Sequence, residues 1–239
     1  MAPTLVLLHG FTHSGASWDR VVAAVGERYR PLAPDIRGHG SASGAQPVSL
    51  DAVLEDVAEL AADEFTLVGY SMGGRIALHA ALALGDRVQR LVLIGASPGL
   101  ADPSERAARR DADEQLAERI EHLDVEDFAR EWSRTPVLGG LPPEVLAEVH
   151  ADRLRSTPAG LARALRGLGT GALPSLWDRL GEVTMPVTLI AGGRDEKFSQ
   201  IAERMSKRLP ASRVQLVSGA GHAVHLEAPE RVAEIIAAG

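Results

Sequence analysis

The chain has no cysteine, so disulfides, thiolate metal sites and a cysteine nucleophile are excluded together, and the composition suits a reducing compartment. Positive charge is in deficit. Lys and Arg number 25 against 32 Asp and Glu, a formal net charge of −7. That balance offers no electrostatic footprint for a phosphate backbone or an anionic membrane, and nucleic acid is not expected as a partner. Missing too is any run of the roughly 20 apolar residues that a transmembrane helix requires. The opening Met1-Ala2-Pro3-Thr4 puts no basic segment ahead of the short apolar run Leu5–Leu8, so no signal sequence is expected. Internal repeats and low-complexity tracts are lacking as well. A cytoplasmic protein is the expectation.

What is present is a chain of 239 residues, 45% hydrophobic and 24% charged. This suffices for one large core or a core with an insertion. Short runs of Leu, Val and Ile recur at Leu5–Leu8, Tyr29–Ala33, Phe65–Gly69, Leu91–Gly95, Val187–Ala191 and Val214–Val217, most of them followed by an amphipathic stretch. The alternation predicts an α/β fold with a mostly parallel sheet and helices on both faces. Between Gly95 and Val187 helix signals replace strand signals. Asp102-Pro103, Thr157-Pro158 and Pro142-Pro143 read as helix starts, and Asp124 with Asp127 opens another around Phe128 and Trp132. The expected division is a core of residues 1–97 and 181–239 with a helical lid over 98–180. Gly38–Gln46, rich in small residues, reads as a surface loop.

Gly69-Tyr70-Ser71-Met72-Gly73 follows a strand and opens a helix, the context in which a sharp turn lifts a nucleophilic hydroxyl above a sheet edge. Gly95-Ala96-Ser97-Pro98-Gly99 has the same spacing, but proline after the serine has no N–H to offer a negatively charged oxygen. Ser71 is therefore the expected nucleophile or base, against an ordinary turn serine. Its base and orienting acid are expected after later strands, as His222 in Gly219-Ala220-Gly221-His222 and Asp195 in Gly193-Arg194-Asp195. The N–H groups of Met72 and Phe11, the latter after His9-Gly10, are expected to form the oxyanion hole. No third ligand stands at suitable spacing for a metal at His222 and His225, so no metal is expected and His225 is read as a capping or substrate-edge residue. His39 reads as a loop residue, His79 as helix packing and His13 as a border of the pocket. Asp35 follows a strand too early in the order to be the acid.

These motifs resemble the α/β-hydrolase superfamily over essentially the whole chain, without its usual N-terminal antiparallel hairpin. Fuller wording, from Gly69 to Arg75, Ser97-Pro98-Gly99-Leu100 into Arg106–Arg110, Trp132, Gly193 to Phe198, and Ala220 to His225, is similar to that of the pyruvate-eliminating synthases of menaquinone biosynthesis. The resemblance implies a cofactor-free lyase acting on a small tricarboxylate, with carboxylates bound by Arg75, Arg109 and Arg153 and Trp132 as a pocket wall; Tyr70, beside the nucleophile, is a further candidate contact, with packing as its alternative. Helical spacing is compatible. Arg75 lies one turn after Ser71, Arg109 shares a stripe with Ala112, Leu116 and Ile120, and Arg153 shares one with Leu146, Val149 and His150. Arg110 is expected to pair with Glu114, and Arg155 to sit with Glu148 and Asp152 on the solvent side. For each inward arginine a structural ion pair is the alternative, and for Trp132 and Phe128 core packing is. At the level of function the alternatives are an ester or carbon–carbon bond hydrolase and a non-catalytic receptor on the same fold.

Overall fold

The computed structural model describes residues 2–61, 63–135 and 141–238. Six strands, β1 (Thr4–Leu8), β2 (Arg30–Leu32), β3 (Phe65–Tyr70), β4 (Val88–Ile94), β5 (Val187–Gly192) and β6 (Ser212–Val217), form one sheet in the order β2-β1-β3-β4-β5-β6. Every pairing among them is parallel. All five residues of β1 are buried because the sheet is covered on both sides. Their alternation assigns them to two cores. Val6 and Leu8 join Leu67, Leu91 and Leu189 on one face, beneath α2 (Leu50–Leu60), α3 (Met72–Leu84) and α8 (Glu196–Ser206). Leu5 and Leu7 join Val68, Val92 and Ile190 on the other, beneath α1 (Asp19–Val25) and α10 (Pro229–Ala237).

The chain leaves β1 toward β2 on one side and returns by α2 to place β3 on the other. The order of strands thus reverses between β1 and β3, and a crevice opens at their carboxyl ends. A last short helix, α9 (Val224–Glu227), precedes α10.

Between β4 and β5 run α4 (Pro103–Glu121), α5 (Val125–Trp132), α6 (Pro143–Arg153) and α7 (Pro158–Leu168). Their starts follow the capping chemistry. Asp102 accepts from the N–H groups of Ser104 and Glu105, Asp124 from Glu126, and Thr157 from Gly160. Ala117, Ile120, Phe128, Leu161, Ala162 and Leu165 form a separate small core between these helices. Leu173, Leu176, Trp177 and Leu180, later in the same insertion, pack instead with the core beneath α2, α3 and α8.

Three local expectations are overturned. In α4 the buried positions are Asp113, Ala117 and Ile120, so the inward stripe is rotated from the expected one and Ala112 is exposed. Glu114 pairs with Arg166 of α7, which also reaches Glu121, while Arg110 donates to the Gly171 carbonyl. A partner across the helix interface won over the one along the helix. Gly38–Gln46 is only partly a surface loop, since Gly38, His39, Gly40 and Ser43 are buried. The small residues permit that burial, since a Cβ on Gly38 would stand 2.7 Å from the Gly160 carbonyl oxygen of α7.

Candidate active site

Ser71 sits between β3 and α3 at φ 50°, ψ −108°, in the left-handed region that costs a non-glycine residue roughly 1–3 kcal/mol. Its N–H donates to the Ile94 carbonyl at 2.9 Å and its carbonyl accepts from Arg75 N–H at 3.1 Å, so neighbouring elements hold the strained turn. Gly73 lets α3 pass close to the end of β1. A Cβ there would run into the carbonyl oxygens of Leu8 and His9.

His222, in the loop between β6 and α9, places Nε2 3.2 Å from Ser71 Oγ and Nδ1 2.7 Å from Asp195 Oδ2. Asp195 caps α8, its other carboxylate oxygen accepting from Phe198 N–H at 3.2 Å. Burial alone would raise the Asp195 carboxyl, but the His222 ring and the Phe198 N–H outweigh it and hold the group below its ordinary value. The carboxylate is thereby fixed against Nδ1, the ring nitrogen that has to carry a proton. Gly95 completes the fit. At φ 54° it lets the chain after β4 pass beside the imidazole, where a Cβ would stand 2.9 Å from His222 Cε1.

Ser71, His222, Phe11 and Met72 open into a cavity of about 530 Å³, a volume suited to a small organic ligand. Arg75, Arg109 and Trp132 line it as expected from the sequence. Phe11 meets Trp132 edge to face at 5.3 Å. Arg109 is about half exposed and pairs with Asp113 at 2.7 Å. Arg75 has no carboxylate in ion-pair range among the described residues, and its Nε is buried without a partner. Burial, reinforced by the charge of Arg109, lowers the Arg75 guanidinium to about 10, so it stays charged at neutral pH.

Other candidates lie elsewhere. Tyr70 is buried away from the cavity lining, its ring 4.2 Å from that of His225 and 5.3 Å from that of His222. Arg153 points inward and is absent from the cavity lining; its Nε donates to Thr12 Oγ1 at 3.2 Å and Nη1 to Ser133 Oγ at 2.5 Å, while Nη2 is buried without a partner among the described residues. Phe128 belongs to the small core between the inserted helices. His225 neither caps a helix nor edges the cavity: it is fully buried between Trp18 and Tyr70. His13 is buried against Asp152 and borders a second cavity, not this one. Asp35 accepts from Gly15 and Ser41 and serves the loop. Ser97 lines the cavity, but its hydroxyl accepts from Gly99 N–H. Asp152 is buried, not solvent-side with Arg155, and Glu148 pairs with Arg20.

Sequence reasoning missed one wall. Lys197, Ile201 and Arg204, spaced four and three apart on one face of α8, line the cavity together with Trp177. The Arg204 guanidinium lies 4.7 Å from the Trp177 ring centre, and the indole N–H donates to the Gly99 carbonyl. The periodicity was readable, but Trp177 comes from a distant segment. Against these cations the lining contains Asp102, engaged in its helix cap, and Glu105.

An α/β-hydrolase family model matches residues 5–235. The 2-succinyl-6-hydroxy-2,4-cyclohexadiene-1-carboxylate synthase of Salmonella typhimurium (strain LT2) is 31% identical over 98% of this chain and 92% of its own length. A protein of Bacillus subtilis (strain 168), 37% identical over 97% of this chain and 88% of its own, carries the same synthase name in provisional form. The solved structure of MenH from S. aureus is similar with a TM-score of 0.95 and 31% identity, over 100% of this chain and 93% of that one. The chain belongs to the α/β-hydrolase family.

Proposed function

We propose that the protein is a cofactor-free lyase of menaquinone biosynthesis that eliminates pyruvate from SEPHCHC, a cyclohexene bearing enolpyruvyl, succinyl and carboxylate groups, to leave the 2-succinyl-6-hydroxy-cyclohexadiene carboxylate. The observation that carries the reading is a cavity holding a hydrogen-bonded Ser71–His222–Asp195 chain at one point and, elsewhere on its wall, the cations Arg75, Lys197 and Arg204, which have no carboxylate partner among the described residues. In a protein of net charge −7 such a concentration of positive charge suits a polyanion. The partner in this reading is a small tricarboxylate met in the cytoplasm.

The geometry supports the following chemistry. Asp195 holds the His222 tautomer whose Nε2 accepts from Ser71 Oγ. The Ser71 oxygen removes the proton α to the succinyl ketone as its own proton passes to His222. Backbone N–H groups of Phe11 and Met72 stabilise the enolate oxygen, each worth roughly 3 kcal/mol of barrier. The electron pair forms a double bond to the neighbouring ring carbon, the existing ring double bond shifts one place along, and the enolpyruvyl oxygen is expelled at its far end; the proton held on His222 passes to that oxygen, and the released enol becomes pyruvate. No bond forms between enzyme and substrate.

The same hydrogen-bonded chain would also serve an ester hydrolase, a reading that the geometry around Ser71 alone favours equally. The cations on the wall argue for the lyase. Incubation of Ser71→Ala with SEPHCHC tests both: pyruvate release should fall roughly 10³-fold or more, whereas retention of full activity would remove Ser71 from the chemistry.

A further inference from the structure

The turn that carries Phe11 is not held by the sheet alone. Thr12, His13 and Ser14 follow it, all buried, and Thr12 is at φ 69°, outside the region a β-branched residue prefers. Two adjacent residues at the end of α6 hold Thr12 and Ser14 and lie beside His13. Asp152 accepts from Ser14 N–H at 3.0 Å through Oδ2 and from the Ser14 hydroxyl through Oδ1. His13 Nδ1 lies 3.4 Å from Oδ2. Arg153 donates to Thr12 Oγ1. Among the described residues the turn's one backbone bond back toward β1 is His13 N–H to the Gly10 carbonyl, at 3.2 Å.

Asp152 is absent from the lining of the main cavity and faces the second one, so it has no route to a ligand beside Ser71. Both its oxygens are committed to the turn. We infer that Asp152 is a positioning residue: by fixing Ser14 it sets the peptide at Phe11, so that the second oxyanion donor is in place only when α6 is docked on this turn. The inference rests on the proposed role of Phe11 N–H and extends it to a helix far away in sequence. A donor aimed at a developing charge has to be held to within a fraction of an ångström, and a turn in an unfavoured conformation needs outside contacts to stay there.

The test compares the wild type with Asp152→Asn and Ser14→Ala. The amide keeps the shape of the carboxylate but has one acceptor where two are used, and the alanine removes the hydroxyl contact to Asp152 together with the cap that Ser14 Oγ gives Ala16 N–H at 3.3 Å. Two rates are read, both well below each variant's melting temperature: pyruvate release from SEPHCHC, and covalent inactivation by a fluorophosphonate, which needs Ser71 and the oxyanion donors but no carboxylate recognition. For Asp152→Asn, kcat and the inactivation rate should each fall tenfold or more with KM within threefold, and Ser14→Ala should lose less. A latch that merely stabilises the fold would lower the melting temperature and leave both rates of the folded protein unchanged. The inference is overturned if Asp152→Asn is inactivated within twofold of the wild-type rate, or if its whole defect is in KM. Should Asp152→Asn not fold, Ser14→Ala decides: slower inactivation supports the inference and a wild-type rate overturns it. If the wild type releases no pyruvate while the variants still differ in inactivation, the positioning role stands and the proposed substrate does not.

Discussion

Arg75 combines proximity to Ser71, a place on the cavity wall and a buried Nε without a partner. A charge-assisted hydrogen bond to a carboxylate is worth about 1.5–3 kcal/mol. Arg75→Gln should therefore lower kcat/KM for SEPHCHC by roughly ten- to a hundredfold, with little effect on fluorophosphonate inactivation, and steady-state kinetics on both reagents will show the split. Gly95→Ala tests the imidazole's seat. The added methyl would press on His222 Cε1 at a backbone φ of 54°, so inactivation of Ser71 should slow at least tenfold. An unchanged rate would mean that the ring tolerates displacement. Ser71, Asp195 and His222 were legible from spacing because each follows a strand, and parallel strands end on one side of a sheet. Arg153 was not placed correctly, because a helical stripe says which way a side chain points and not what it meets there, and Tyr70 took its alternative, packing beside the nucleophile against His225. Arg153 meets Thr12 and Ser133 before it reaches the cavity.

Helices α4 and α8 both supply residues to the cavity wall, and their N-terminal caps fix how they enter it. Asp102 binds two backbone N–H groups of α4 while itself lining the cavity mouth. Removing such a cap costs about 1 kcal/mol. Asp102→Ala should lower the melting temperature by a few degrees and raise KM through fraying of the turns ahead of Arg109, and Asp102→Ser should restore both. A calorimetric scan with a KM measurement checks this. Element positions were largely readable, since Pro, Asp and Thr at helix starts and β-branched runs between turns act locally. The rotation of α4 was not: it is decided by α7, whose Arg166 takes Glu114 and Glu121, and no periodicity within α4 contains that information.

On the scale of the whole molecule, burial of imidazoles sets the acid limit of stability. Burial drives His9 down to about 4, despite the opposing hydrogen bond at Gly10, and His39 down to about 3. His13 and His225 are lowered by the same cause. In the unfolded chain these rings titrate near 6.5. Their contribution is fully present above that pH and is lost as pH falls toward the folded values, because only the unfolded state takes up protons in that window. His9 alone forfeits on the order of 2 kcal/mol by pH 5. The melting temperature should drop steeply from pH 7 to pH 5, and a flat profile would mean that the rings are protonated in the fold. The pattern also explains the layout: neutral rings pack behind the site, while the cavity holds the permanent cations.

The decisive measurement is incubation of the purified wild-type protein with SEPHCHC, following pyruvate with lactate dehydrogenase and the conjugated diene by absorbance. Pyruvate and diene should appear together, one for one, at a rate far above the uncatalysed elimination, with slow turnover of simple aryl esters. SEPHCHC left intact by a protein that hydrolyses aryl esters rapidly would contradict the lyase reading and make the hydrogen-bonded serine that of a hydrolase.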